Sequence, residues 1–275
     1  MNLKRNLLAA KAAFKISMKI YFRYPLNFIL TFFDPIIWIT PFYFMGKSFS
    51  SSGVAAGFRS YTGNSDYIGF LVIGYMVSSY ISASFWSLGF SLKNEMMQGV
   101  LESNWSAPVN RINLLISKGL FQFVATTFEN IFTGIVCHFV FGFTINNNIL
   151  KFLLYLIPGI IAMIGLGIAI SALVLIAKEA NSIIDFSNSM VSALSGGFFP
   201  IKVLPRSVFF ISMLIPLTYI NDSSRAILIN QVPIMPLKCQ FIIIVASMFV
   251  FVMAGSAVFY AIEKKCREMG LLSTH

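Results

Sequence analysis

The stretch SALSGGFFPIKVLP, residues 192–205, interrupts a long apolar region and decides how the C-terminal half of this chain folds. Glycine is costly inside a helix and favoured just past its end, so Gly196 and Gly197 predict the end of a helix. Pro200 and Pro205 then prevent a helix from resuming between them. The stretch therefore predicts a break in the chain at the end of an apolar helix.

A short apolar run follows the break. Residues 208–220 are too few to cross a bilayer, which takes about 20 residues, and the run contains Pro216. Irregular backbone at membrane depth must be covered by protein or line a cavity. We therefore predict a re-entrant segment over residues 200–236.

The composition around this segment is that of a membrane protein. The chain has 275 residues, of which 57% are hydrophobic and 11% charged, whereas soluble proteins average about 25% charged residues. The apolar residues form runs of about 20, the length that a helix needs to cross a bilayer. The sequence predicts an all-α polytopic membrane protein with six transmembrane helices. These spans are residues 26–46, 67–92, 119–144, 152–177, 182–199 and 237–262.

The basic residues predict the orientation. Most of the 20 Lys and Arg residues fall on the side of the N-terminus, which the positive-inside rule places in the cytoplasm. Residues 93–118 and the tail 263–275 are then cytoplasmic, and the 200–236 segment lies on the outer side of the cell membrane. The net charge of +10 is a topology signal and attracts anionic lipid. No basic run is dense enough to indicate nucleic-acid binding.

The N-terminal segment, residues 1–25, has the pattern of an amphipathic helix. Lys11, Lys15, Lys19 and Arg23 recur every four residues and share one helix face. Apolar residues lie largely on the other side. This pattern predicts a helix in the cytoplasmic membrane interface.

Two short matches to nucleotide-binding motifs prove misleading. The letters LSGG at 194–197 are the core of the signature of ABC-class ATPases. A phosphate-binding loop needs Gly, four residues, then Gly-Lys-Ser/Thr, but before Gly46-Lys47-Ser48 the position of the first glycine holds Pro41. We expect no ATPase activity, no catalytic residue and no bound cofactor in this chain. The three cysteines share no metal-ligand spacing, so no metal site is expected.

Two segments carry a resemblance to a known family. LSGGFFPIKVLPRSVFFISMLIPLTYINDSSRAIL, residues 194–228, resembles the hallmark segment of type-2 ABC exporter permeases. KNEMMQGVLESNWSAPVNRINLLISKGL, residues 93–120, resembles their cytoplasmic stretch between spans two and three. The residues assigned to the outer segment are Gly196, Gly197, Pro200, Pro205, Pro216, Tyr219 and Arg225.

The resemblance implies a division of labour. A separate ATPase subunit binds ATP and Mg²⁺, and the permease works with a second copy or with a related permease. The stretch between spans two and three docks on the ATPase, which assigns this contact to Glu95, Gly99, Glu102 and Pro108. The residues alone leave an ordinary solvated loop open as the alternative. Met and Val beside the two carboxylates would suit a groove with a basic rim.

Polar residues inside the spans are candidates for a translocation path, because burying a charge in a bilayer costs ~2.5–3.5 kcal/mol on insertion scales. Asp34 either lines the path or caps a kinked half-helix before Pro35. Asp185, Asn188 and Ser192 recur at i, i+3 and i+7 on one helix face. They predict a path lining, with interhelical hydrogen bonds as the alternative.

Other residues support secondary predictions. Phe198 and Phe199 are candidates for a gate or a dimer seam, although aromatic residues in membrane proteins more often face lipid. His138 is expected in a helix–helix contact. Asn221 begins a glycosylation triplet and is expected to be reachable from outside.

The predicted function is the permease subunit of an ATP-driven exporter of an amphipathic small molecule, drug or lipid-like substrate. Residues 106–109, SAPV, are closer to the drug and antibiotic branch than to polysaccharide exporters, which carry a Tyr-Phe-Pro-Arg-type segment there. Export of a polysaccharide or glycolipid is the alternative. A secondary transporter would usually show internal repeats and paired broken helices.

Overall fold

The computed structural model describes residues 3–23, 25–48, 56–101, 103, 110–177 and 179–269. All regular secondary structure in these ranges is helical, which confirms the predicted fold class. The helices are α1 Leu3–Arg23, α2 Pro25–Ser48, α3 Ala56–Thr62, α4 Tyr67–Phe85, α5 Ser91–Met97, α6 Arg111–Phe141, α7 Ile149–Ala177, α8 Asn181–Leu194, α9 Arg206–Leu214, α10 Pro216–Leu228 and α11 Leu237–Glu268.

Four helical segments of the described part are long and apolar enough to cross a membrane. They are α4 together with α5, α6, α7 and α11, at the positions of predicted spans two, three, four and six. The first predicted span is helix α2. The fifth is α8, whose 14 residues reach only about 21 Å at ~1.5 Å per residue. The count of six spans remains a prediction.

Helix α4 continues into α5 through a π-helical turn, Trp86–Phe90. A Cβ atom added at Gly167 of α7 would lie less than 3.0 Å from the hydroxyl of Ser84, so α4 and α7 are in close contact just before this turn. Ser84 donates a hydrogen bond to the carbonyl of Met163 at 2.8 Å. Turns of this kind are rare and are frequently found at functional sites.

Helices α7 and α11 form the tightest pair. A Cβ atom at Gly165 would lie less than 3.0 Å from the Phe251 backbone, and one at Gly255 less than 3.0 Å from the carbonyl oxygen of Gly165. Small residues let helix backbones approach closely in membranes, where packing and not hydrophobicity drives association. The two glycines therefore determine how α11 attaches to the bundle.

Side-chain hydrogen bonds join α4 to α6. The Asn130 amide nitrogen donates to the carbonyl of Met76 and to the hydroxyl of Ser79, each at 3.0 Å. One turn further towards α5, the hydroxyls of Tyr80 and Thr127 are 3.0 Å apart. These contacts satisfy polar groups that would otherwise be costly in an apolar interior.

An ion-pair cluster holds the start of α6 to the end of α11. Glu263, only 3% exposed, pairs with Arg111 and with Nε of Arg267, the latter at 3.1 Å. Asn110 caps α6 by accepting hydrogen bonds from the backbone N–H groups of the first turn. Arg111 and Arg267, two of the basic residues behind the predicted cytoplasmic side, therefore lie together at this end of the bundle.

Helix α1 packs along α6. The ring of Phe14 contacts that of Phe121 with centroids 5.6 Å apart, and the Tyr21 hydroxyl donates to the Glu129 carboxylate at 2.9 Å. The basic residues of α1, Lys11, Lys15, Lys19 and Arg23, are exposed. The predicted N-terminal helix is present as α1, and its position in the membrane interface remains a prediction.

Candidate functional site

Helix α8 runs antiparallel to α4. Near its start, Ile184 packs against Gly89, where a Cβ atom would lie less than 3.0 Å from the isoleucine side chain. Beyond the end of α8, the carbonyl oxygen of Gly197 would lie less than 3.0 Å from a Cβ atom added at Gly74. The α8 segment thus passes along most of the length of α4.

The helix ends where the glycines predict. The last residue of α8 is Leu194, and Gly196 has a φ of +73°, a left-handed conformation that favours glycine. The chain then reaches Pro200, which precedes a short 3₁₀ turn, Ile201–Val203.

Arg225 holds this turn in place. It is 3% exposed, and its guanidinium donates to the carbonyl oxygens of Gly196 at 2.7 Å, Gly197 at 2.6 Å and Phe70 at 3.1 Å. It also lies 3.4 Å above the Phe70 ring, a cation–π arrangement. We call Arg225 with these three carbonyls the Arg225 clamp. It joins α10, the turn after α8 and the start of α4.

The clamp needs a glycine at position 74. A Cβ atom there would lie less than 3.0 Å from both the carbonyl oxygen of Gly197 and the Arg225 guanidinium. The sequence analysis assigned Gly196, Gly197 and Arg225 to one outer segment but did not identify Gly74. A glycine within an apolar span was the available signal.

The short helices α9 and α10 meet at a proline-induced corner. Pro205 caps α9, and Pro216 begins α10, so the apolar run 208–220 is broken as predicted. Hydrogen bonds close the corner: the Thr218 hydroxyl donates to the Ser212 carbonyl at 2.6 Å, and the Tyr219 hydroxyl to the Met213 carbonyl at 2.7 Å.

Helix α10 is polar and yet buried. Asp222 accepts hydrogen bonds from the Ile234 N–H at 2.8 Å and from the Gln240 amide at 2.6 Å, which anchors α10 to the start of α11. Burial raises the pKa of the Asp222 carboxyl, although these hydrogen bonds and Arg225 favour its charged form. Burial lowers the pKa of the Arg225 guanidinium to about 9, and Asp222 opposes that change. Sequence reasoning missed Asp222 and Gln240 as a pair.

The expectation that Asn221 is reachable from outside is wrong. This residue is 1% exposed and its amide donates to the Ser195 carbonyl at 3.3 Å. The reason is that α10 lies inside the protein and not on its outer surface. In the same segment Lys202 and Val203 are exposed.

The residues that resemble nucleotide-binding motifs belong to a helix or to buried parts of the fold. Gly46, Lys47 and Ser48 form the last turn of helix α2 and not a phosphate-binding loop. Ser195 and Gly196 are buried, and the Gly196 carbonyl is part of the Arg225 clamp.

The predicted polar stripe on α8 divides into two. Asn188 accepts a hydrogen bond from the Ser82 hydroxyl of α4 at 2.9 Å, and Ser192 is buried, as the interhelical alternative requires. Asp185 and Ser189 lie on the exposed side of α8. We call Asp185, Phe186, Ser189 and Met190 the open face of α8.

The other path candidates lie on and against α2. Asp34 is exposed, and α2 passes through Pro35 and Pro41 as a single helix, so Asp34 does not cap a separate half-helix. Phe198 stacks on Phe42 of α2, with ring centroids 5.1 Å apart. Phe199 is half-buried.

The coupling residues are only partly described. Glu95 is 8% exposed and its neighbour Met96 is also buried within this chain. The contact of Glu95 with an ATPase subunit stays a prediction. Met97, Gln98 and Gly99 are exposed, and Gly99 has a φ of +65°. The two remaining candidates, Glu102 and Pro108, lie outside the described residues.

The expected helix–helix contact of His138 is also wrong. Its side chain is exposed, and Nδ1 lies 2.7 Å from the carbonyl oxygen of Phe143. The imidazole therefore sits at the C-terminal end of its own helix, where carbonyl groups lack intrahelical partners.

Long apolar helices around a polar, broken segment are the features of a polytopic membrane protein. A comparison with protein families matches residues 9–229 to the ABC-2 type transporter family. The chain belongs to this family and is a membrane-embedded permease subunit of an ABC transporter. Such permeases normally pair with an ATPase subunit. The comparison with curated proteins gave no significant match.

Proposed function

We propose that this chain is the permease subunit of an ATP-driven exporter of amphipathic or lipid-like molecules. A separate ATPase subunit binds ATP and Mg²⁺. A second permease, either another copy or a related chain, encloses the path together with this one.

The open face of α8 carries this proposal. Asn188 accepts a hydrogen bond from Ser82 well inside the predicted span 67–92, and Asp185 lies about one turn nearer the end of that span, next to Ile184, which packs on Gly89. A carboxylate facing lipid would cost ~2.5–3.5 kcal/mol at the centre of a span on insertion scales, and less towards its end. Exposed Asp185 and Ser189 therefore favour water or a protein neighbour over lipid, which a path between two permeases would provide.

The chemistry of the open face supports an amphipathic cargo. Phe186 is 66% exposed and Met190 is also exposed, and both lie beside the polar pair on the same helix. The open face of α8 thus offers polar groups and a flexible apolar surface together. Methionine side chains adapt to irregular partners, which suits a path for molecules of varied shape.

Water access to α8 provides a direct test. In the assembled transporter, a cysteine at Asp185 or Ser189 is expected to react with a water-soluble maleimide at least ~10-fold faster than one at Ile184, because only a hydrated thiol ionises readily. Ile184 is the matched control, since it lies on the same helix but is fully buried. Equal, slow labelling at positions 184, 185 and 189 would show that the face lies against lipid or protein and remove the support for a path.

Docking of the ATPase is expected at the exposed end of α5. Met97→Asp puts a charge on a residue that is 59% exposed, so it is expected to reduce co-purification of the ATPase subunit by ~10-fold or more, as a loss of about 1.4 kcal/mol does. The melting temperature of the permease should stay unchanged. The complex is expected to hydrolyse ATP, and the isolated chain is not.

A contrasting variant separates docking from folding. Glu95→Lys changes a buried residue and is expected to lower the melting temperature of the permease itself, because it reverses the charge at a buried position. If Met97→Asp leaves co-purification unaltered, the ATPase docks elsewhere on this chain. ATP hydrolysis by the isolated chain would contradict the proposed division of labour.

A further inference from the structure

A small cavity lies beside the Arg225 clamp. The space in it that is open to a water molecule is about 20 Å³, and a single water needs ~10–15 Å³. Sites for drug-sized molecules start at ~300 Å³, so this cavity has the size for one water and for no larger ligand. Residues of α4, of α10 and of the connection from α10 to α11 line it, among them Phe70, Asp222, Arg225, Gln231 and Ile234.

Three of the lining residues have hydrogen-bonding groups that the protein does not use. Arg225 has five N–H groups, of which three donate to the carbonyls of the clamp. Asp222 accepts its two hydrogen bonds, from Ile234 and Gln240, on Oδ2, and no described residue donates to its Oδ1. Oε1 of Gln231 is buried and has no partner among the described residues. Buried polar groups are normally satisfied, and ordered water does this where protein groups do not.

Asp222 and Arg225 are close to each other but not in contact. They lie three residues apart on α10, and each shifts the pKa of the other in favour of the charged form. Among the contacts of the described residues, no direct hydrogen bond or ion pair joins the two side chains. Polar groups held apart in this way are often bridged by a water molecule.

We propose that this cavity holds one ordered water molecule, which accepts a hydrogen bond from an N–H of Arg225 and donates to Oδ1 of Asp222 and to Oε1 of Gln231. Three hydrogen bonds are typical of a buried water. The water links the guanidinium to the carboxylate and attaches the connection after α10 to both, so it completes the clamp. This water site goes beyond the proposed function, since it requires neither cargo nor an ATPase subunit.

The groups around the cavity favour water over an ion. An anion would face the carboxylate of Asp222 and the amide oxygen of Gln231, whereas a cation would face the guanidinium of Arg225 and the ammonium of Lys202, which also lines the cavity. Only a neutral molecule that both donates and accepts hydrogen bonds suits all of these groups. Lys202 and another lining residue, Tyr61, are exposed, which gives water a route into the cavity.

The direct test is a structure of the full chain in a lipid nanodisc, at a resolution that shows ordered waters. We expect one density peak in the cavity, within ~2.5–3.2 Å of Oδ1 of Asp222, of Oε1 of Gln231 and of a guanidinium nitrogen of Arg225. A second sample contains bromide in place of chloride, and the peak should be the same in both. No peak, or a peak that grows with bromide and therefore comes from a halide, would overturn the proposal.

Radiolytic labelling tests the same site in solution, because hydroxyl radicals formed from a bound water oxidise the side chains beside it. Phe70 lines the cavity and is 1% exposed. Phe85 is the matched control, since it lies on the same helix, is also 1% exposed and does not line the cavity. We expect Phe70 to be oxidised at least ~5-fold faster than Phe85, because an ordered water lies beside it. Equal rates would overturn the proposal.

A variant tests the role of Gln231. Gln231→Leu removes the amide oxygen at similar size and is expected to slow the oxidation of Phe70 by at least ~3-fold, because the water loses one of its three hydrogen bonds. Gln98→Leu makes the same change at an exposed position after α5 and should leave the oxidation of Phe70 unaltered. If Gln231→Leu fails to fold, the comparison of Phe70 with Phe85 in the parent protein still decides. Unaltered oxidation of Phe70 in a folded Gln231→Leu variant would contradict the site.

Discussion

Arg225→Met is expected to unfold the segment that joins α8 to α10 and to lower the free energy of unfolding by ~3–5 kcal/mol, as the loss of a buried charged partner does. Methionine keeps some apolar contact with the Phe70 ring but donates no hydrogen bond. The buried carbonyls of Gly196 and Gly197 would lose the donor groups of the clamp, and leaving such groups unsatisfied is costly. Asp222 would also lose a nearby positive charge.

The measurement is the melting temperature of the solubilised protein, followed by size-exclusion chromatography. Arg206→Met is the matched control, because Arg206 lies in the same broken segment but is exposed, and its loss is expected to change stability by less than ~0.5 kcal/mol. Arg225→Lys should fall between the two, since an ammonium cannot reproduce the planar fork that meets several carbonyls. Equal melting of the Arg225→Met and Arg206→Met variants would show that the clamp does not stabilise the fold.

Gly165→Leu is expected to separate α7 from α11 and to cost ~3 kcal/mol, the upper end of the range for overpacking a core. A side chain at Gly165 meets the backbone of Phe251 and Val252, and a helix backbone cannot move aside as a flexible side chain can. The expected result is a lower melting temperature and faster proteolysis in α11.

The control for this change is Gly57→Ala in α3, where nothing lies within 4 Å of an added Cβ atom. It should be neutral or slightly stabilising, because alanine favours helix more than glycine does. A Gly165→Leu variant with the same melting temperature as the parent protein would mean that α11 can pack in another register.

The sequence was most informative about local features. Runs of apolar residues predicted the positions of α4, α6, α7 and α11, because span length follows from bilayer thickness alone. Gly196, Pro205 and Pro216 predicted the breaks after α8 and between α9 and α10, because glycine and proline act on their own backbone. The arginine of the clamp was assigned to the right segment from its resemblance to a family.

The direction in which a side chain points was harder to predict than the position of its helix in the chain. The resemblance to a family assigned Glu95 to a contact with the ATPase, but its side chain is buried within this chain. The π turn at Trp86–Phe90 uses a hydrogen-bond spacing of five residues and so rotates the helix that follows it. Similarly, Asp185 and Asn188 share one helix face by spacing, but only Asn188 reaches Ser82 of α4. Spacing along one helix does not specify which neighbour that face meets.

By itself, therefore, the sequence determined that this protein is helical, lies in a membrane and breaks its chain after residue 194. Each of these properties depends on residues close together in the chain. Only the tertiary structure decided that Arg225 binds the carbonyls beyond that break, and that Gly74 must be small to admit them. Arg225 lies 29 and 28 positions from the two glycines that it binds, and Gly74 lies more than 100 positions from both Gly197 and Arg225. The contacts arise because α4, α8 and α10 pack together.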